Sequence, residues 1–166
     1  MGAEVDLLVD YPRTKRDLDA RGQDKTEEDR AVARRFDKAF FDGERRTGYG
    51  GFHYHPRFWQ PVVPTFQEHY GLTAESSLLD VGCAKGFMLK DFAELIPGIT
   101  VAGVDISDFA IGNAVRDMTP FVRVADARAL PFDDDSFDLV VSINTIHNFE
   151  RDGVLVALRE IERVSR

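Results

Sequence analysis

The rhythm of hydrophobic and polar positions changes near residue 76. Before it, Val32, Phe36, Ala39 and Phe40 recur at helical spacing behind Thr26. The Thr26 side chain suits a helix cap, and Glu27, Glu28 and Asp29 put carboxylates into the first turn, where the helix dipole favours them. This predicts a helix over 26–42 with Gly43 as its stop. Phe58, Trp59, Val62, Val63 and Phe66 predict a second helix over 58–70 closed by Gly71, with Pro61 and Pro64 inside it. Residues 1–25, polar and carrying Pro12 and Gly22, read as an extended or loosely ordered lead-in.

Beyond Ser76, short β-branched or leucine-rich runs alternate with amphipathic stretches. Strands are predicted over 77–81, 99–105, 121–125 and 139–143, and helices over 86–95, 107–118 and 151–163. In the last helix Val154, Leu155, Leu158 and Ile161 fall on one face. Strands and helices alternating at this spacing mean right-handed βαβ units and an α/β fold with a parallel sheet. The chain divides into an N-terminal helical extension, 1–70, and a nucleotide-binding-type domain, 71–166.

Composition narrows the function. Net charge is -8, unevenly spread: residues 1–70 hold 12 Lys/Arg against 13 Asp/Glu, and residues 71–166 hold 9 against 16. An acidic body disfavours a long nucleic-acid groove, whose affinity comes mainly from neutralising phosphates. Arg34-Arg35 and Arg45-Arg46 therefore read as solvated helix-face charges, and no nucleic acid is expected as a partner. The single cysteine, Cys83, excludes a disulfide framework, and His53, His55, His69 and His147 show no metal-binding spacing. No apolar run approaches a membrane span and the N-terminus has no signal-peptide pattern, so a cytoplasmic location is expected.

The chemistry gathers at predicted strand tips. The first strand runs through Leu79-Asp80-Val81 into Gly82-Cys83-Ala84-Lys85-Gly86, a small-residue turn that lets backbone approach a ligand at the start of a helix. The second ends at Asp105, about 20 residues on, where nucleotide-binding α/β folds bind ribose hydroxyls. The third ends at Asp126, placed to accept from an adenine amino group. A dinucleotide G-x-G-x-x-G would need glycine at 82, 84 and 87, but 84 is Ala and 87 is Phe, which argues against a nicotinamide enzyme. Upstream, Gly48-Tyr49-Gly50-Gly51-Phe52-His53-Tyr54-His55-Pro56 interleaves glycines with rings. It suits a lid that grips a small molecule, with Tyr49, His53 and Tyr54 as substrate contacts, or equally a hinge whose rings pack on the main domain.

Over residues 76–163 the chain resembles class I S-adenosylmethionine-dependent methyltransferases of the small-molecule kind (methyltransferase type 11-like). The resemblance is carried by the glycine loop, Val104-Asp105, Ala125-Asp126-Ala127-Arg128-Ala129-Leu130-Pro131-Phe132 and Asp135-Ser136-Phe137-Asp138-Leu139-Val140 ahead of Ser142–His147. It implies a Rossmann-like sheet and S-adenosylmethionine as cofactor. Asp80, Gly82 and Gly86, with Cys83 and Ala84 between them, would surround the methionine portion. Asp105 would bind the ribose with Ile106 against adenine; Asp126 and the Ala127 N–H would hold the adenine edge, and Asn144 would lie near the sulfonium. His147 is the candidate general base. The family's loop usually has glycine where this chain has Ala84, a cheap change if φ there is negative. A small-molecule O, N or C acceptor is implied, against a non-catalytic cofactor-binding module or a protein or RNA methyltransferase. The family order 3-2-1-4-5-7-6 is represented here by 3-2-1-4, with strands 5–7 absent. An unpaired fourth-strand edge is therefore expected, open to self-association.

Overall fold

The sheet is built from β1 (Ser77–Val81), β2 (Thr100–Asp105), β3 (Val122–Val124) and β4 (Leu139–Val141), all parallel and ordered β3-β2-β1-β4. The computed structural model describes residues 4–13 and 25–166. Central β1 is buried on both faces, as a middle strand of a parallel sheet must be. Leu78 joins the core on one side, with Val101, Leu89, Phe92 and Val63, while Leu79 and Val81 join the other, with Val104, Ala157 and Val164. Alternation puts Asp80 on the Leu78 face, a carboxyl inside an otherwise apolar run.

Around the sheet lie α1 (Glu27–Ala33), α2 (Lys38–Phe41), α3 (Val63–Tyr70), α4 (Phe87–Leu95), α5 (Asp108–Gly112) and α6 (Arg151–Val164). α3 and α4 cover one face through Val63, Phe66 and Phe92, and α6 covers the other. No helix among the described residues is long and apolar enough to cross a membrane.

Several elements depart from the sequence pattern. The helix expected over 26–42 is two. Thr26 caps α1 with a full capping box to Asp29, but the chain turns at Arg34-Arg35, Phe36 takes a φ of 49°, and Asp37 caps α2 through the Ala39 N–H. A distant partner fixes this break: the Ser107 hydroxyl donates to the Phe36 carbonyl. The helix expected over 58–70 begins only at Val63, with Pro64 in its first turn, where a missing N–H is harmless. The helix expected over 107–118 is α5 followed by a 3₁₀ turn, Arg116–Phe121. On α6 the inward residues are Ala157 and Val164, with Ile161 partly buried, while Leu155 and Leu158 face solvent.

The lead-in expected over 1–25 falls partly on 1–3 and 14–24, outside the described residues. Its described part is not loose, since Leu7 and Leu8 pack on the core and the Tyr11 ring meets Trp59 at 5.0 Å. At the β4 edge, Leu139 and Val141 are buried, and Ser165 forms a parallel bridge with Phe137, so the entrance to that strand is paired.

Candidate functional site

The turn after β1 is folded back onto the tip of β2. The Gly82 and Cys83 N–H groups donate to the Val104 carbonyl at 2.7 and 2.9 Å. Gly82 has a φ of 92°, and a Cβ there would lie 1.9 Å from the Thr145 hydroxyl oxygen, so only glycine fits. The condition that would make alanine cheap at position 84, a negative φ, is not met: φ is 49°, a left-handed conformation costing an L-residue about 1 kcal/mol. Asp105 holds it there, one carboxylate oxygen accepting from the Ala84 N–H at 2.8 Å and the other from the Ser107 N–H at 2.9 Å. Burial pushes the Asp105 pKa up, while these N–H groups pull against that shift.

A cavity of about 330 Å³ opens over these tips. Gly82, Ala84, Asp105, Ile106, Asp126, Ala127 and Asn144 line it, bringing together most of the residues expected to hold a cofactor. Ile106 is 55% exposed beside it, an apolar side chain with nothing on its outer face. Asp126 is gripped by the Arg128 guanidinium at 2.6 Å, which holds its carboxyl below the usual range, and that guanidinium also lies 5.3 Å from the Phe149 ring. Arg128, Phe149 and Phe41 complete the wall without having been singled out in the sequence. Arg34 and Arg35 line it too, from a turn rather than a helix face.

A second cavity, about 660 Å³, shares Tyr49, Gly82, Ala84, Ile143 and Asn144 with the first. Asp80, Cys83, Phe87 and Met88 form the main-domain wall, and Phe52, His53, His55, Phe58 and Trp59 come from the N-terminal segment. Asp80 and Cys83 thus face this side, whereas Gly86 lines neither cavity and serves as the left-handed cap of α4. Burial, with the nearby Asp105 charge adding to it, pushes the Asp80 carboxyl up to about 8. Burial likewise raises the Cys83 thiol, which favours its protonated form. At the shared wall Asn144 has a φ of 59°, so two non-glycine residues in left-handed conformations, Ala84 and Asn144, meet where the cavities join.

The N-terminal segment is latched to the cofactor-type loop by polar groups. The buried Lys85 ammonium donates to both Asp42 oxygens at 2.8 Å and to the Phe52 carbonyl at 2.9 Å. Asp42 in turn accepts from the Phe52 N–H at 3.1 Å. The Tyr54 hydroxyl donates to Asp91, a fully buried carboxyl on α4, at 2.6 Å. Burial and this carboxylate hold the Tyr54 phenol well above its ordinary pKa. Tyr54 therefore anchors the aromatic loop and lines neither cavity, while Tyr49 lines both and His53 the second. His147 is exposed in the 3₁₀ turn Ile146–Asn148, off both walls.

Residues 79–166 match a family described as a methyltransferase domain. Malonyl-(acyl-carrier protein) O-methyltransferase of Legionella pneumophila is 34% identical over 96 residues, 55% of this chain and 33% of that protein. The mitochondrial arginine-hydroxylase NDUFAF5 of Rattus norvegicus is 34% identical over 70 residues, 42% of this chain and 20% of that one. The chain therefore spans a third or less of the length of these curated relatives. A solved SAM dependent methyltransferase from Aquifex aeolicus shares the fold, with a TM-score of 0.53 at 21% identity over 63% of this chain and 58% of that one.

Proposed function

The chain belongs to the methyltransferase-domain family, and from that premise we propose that it transfers a methyl group from S-adenosylmethionine to a small-molecule acceptor. One observation carries the reading: two cavities, one over the strand-tip acids and one under the aromatic loop, join across Gly82, Ala84 and Asn144. A cofactor on one side and an acceptor on the other would face each other there.

The residues fit the cofactor. Gly82, whose Cβ position is taken by the Thr145 side chain, presents bare backbone on the wall that the two cavities share. Asp105 and Asp126 offer carboxylates for ribose hydroxyls and an adenine amino group, and the exposed Ile106 offers a flat apolar surface for the base. Asp80, buried with a raised pKa, suits a ligand carrying positive charge, which would favour its ionised form. When bound, S-adenosylmethionine supplies a methyl group already activated as a sulfonium. The chain's own part is to exclude water, align the acceptor and take up a proton where the acceptor is a hydroxyl or amine. Phe52, Phe58 and Trp59 do the first. His53 and His147 are both exposed, but His53 lines the second cavity and is the better placed of the two to accept a proton.

Calorimetric titration with S-adenosylmethionine and S-adenosylhomocysteine tests the reading. Saturable binding of both is expected, weakened roughly tenfold or more in Asp105→Ala. Product mass spectrometry should show acceptors gaining one CH₂ unit. A folded chain that binds neither nucleoside, or products that gain oxygen in place of CH₂, would overturn it.

A further inference from the structure

The second cavity has a chemical polarity that the methyl-transfer reading does not use. Its walls are rings. Tyr49 and Phe52 lie 4.4 Å apart, and Phe52 stacks on Phe87 at 4.8 Å and 23°. Trp59 and Phe58 add two further rings to the lining. Its ionisable groups are segregated. Asp80 is the carboxyl among the described lining residues, and it is buried beside the glycine loop. The cations are Arg45 and Arg57, both exposed, and neither forms an ion pair among the described residues. Arg45 donates to the Tyr49 carbonyl and Arg57 lies over the Phe58 ring at 4.7 Å, so both are held at the aromatic rim. His55 adds a donor there: its Nδ1 accepts from the Arg57 N–H at 3.2 Å, which leaves Nε2 to carry the ring proton.

We propose that this cavity takes a planar aromatic carboxylate, its ring between the aromatic walls and its carboxylate on Arg45 and Arg57. Ring faces bind planar molecules with little loss of side-chain freedom, because aromatic side chains are already stiff. Each guanidinium offers a carboxylate forked hydrogen bonds. A volume of about 660 Å³ admits a small molecule of two or three fused rings and no folded macromolecule. At the inner end an anion would meet the buried Asp80 carboxyl and no cation among the described lining residues, so the ligand enters with its carboxylate outward and its opposite edge toward Gly82 and Asn144. The proposal rests on the methyl-transfer reading for its meaning, though not for its test.

The test is calorimetric titration of the full chain with 3-hydroxy-2-naphthoate, 2-naphthol and cyclohexanecarboxylate, each with and without saturating S-adenosylhomocysteine. Saturable binding of the naphthoate is expected, with naphthol and cyclohexanecarboxylate each roughly tenfold weaker or worse. In Arg45→Gln/Arg57→Gln the naphthoate should lose roughly tenfold while naphthol is unchanged. Equal affinity for naphthoate and naphthol, or for naphthoate and cyclohexanecarboxylate, overturns the assignment. So does an absence of naphthoate binding by a chain that still binds S-adenosylhomocysteine. If the naphthoate binds and S-adenosylhomocysteine does not, the cavity assignment stands and the methyl-transfer reading falls. Circular dichroism of the double variant, whose changes are both on the surface, should match the parent.

Discussion

The two halves of the molecule are held by different physics. From Ser77 onward, four strands share parallel ladders, and core residues such as Leu78, Leu79, Leu89 and Phe92 are fully buried on both faces of the sheet. From Thr26 to Gln60, ahead of α3, the helices are short: α1 buries no residue and α2 buries one. That segment depends on ring clusters and a few directed bonds: Lys85 to Asp42, Tyr54 to Asp91, and Ser107 to the Phe36 carbonyl. Apolar burial makes a framework, whereas a handful of polar bonds makes a cover that is specific in position yet cheap to release.

The largest blow to this contrast is Phe92→Ala. It should cost about 3–5 kcal/mol, because a buried ring on the sheet leaves a cavity. Urea denaturation should show the whole cooperative transition move. Next comes Asp42→Ala, which strands the buried Lys85 ammonium and should cost about 2–3 kcal/mol. Here limited proteolysis should open the N-terminal segment first while the sheet half stays protected. Adding Lys85→Met should restore much of the loss, since two absent charges are better tolerated than one.

Asp80 gives a pH signature. Its folded pKa of about 8 exceeds its ordinary 3.8. The folded chain therefore keeps a proton that the unfolded chain has lost, and stability contributed below pH 3.8 drains away as pH rises toward 8. In Asp80→Asn, the fall in Tm between pH 5 and pH 8 (about the span of that titration) should shrink. It should not vanish, because burial raises Asp105 in the same direction. The smallest effect is expected from Ala84→Gly. Relief of a left-handed alanine, net of glycine's extra unfolded-state entropy, should stabilise by no more than about 0.6 kcal/mol, read as a slight rise in Tm.

What could be read from the residues follows the same division. Period-two and period-3.6 patterns report burial, so β1 and the order of strands and helices were legible, as were Asp80, Asp105 and Asp126 at the tips. Thr26 was legible as a cap because its partner, Asp29, is three residues away. The break at Phe36 was not, because its partner is Ser107, 71 residues on. Nor was the conformation of Ala84, which depends on an N–H meeting Asp105 across two strands. Arg128 carries a local signal, since it stands two residues beyond Asp126 and donates to it. Lys85 had one too: a lysine in a turn of small residues has to place its charge somewhere, and here it reaches Asp42.

Trp59 is the chain's single tryptophan, and it stands in the wall of the second cavity with the Tyr11 ring edge-on against it. Excitation at its absorption edge therefore interrogates one place in the molecule. Its emission colour reports whether that wall is wet or covered, without a label and without competing signal from the sheet half. The molecule carries its own optical gauge of what enters beneath the aromatic loop.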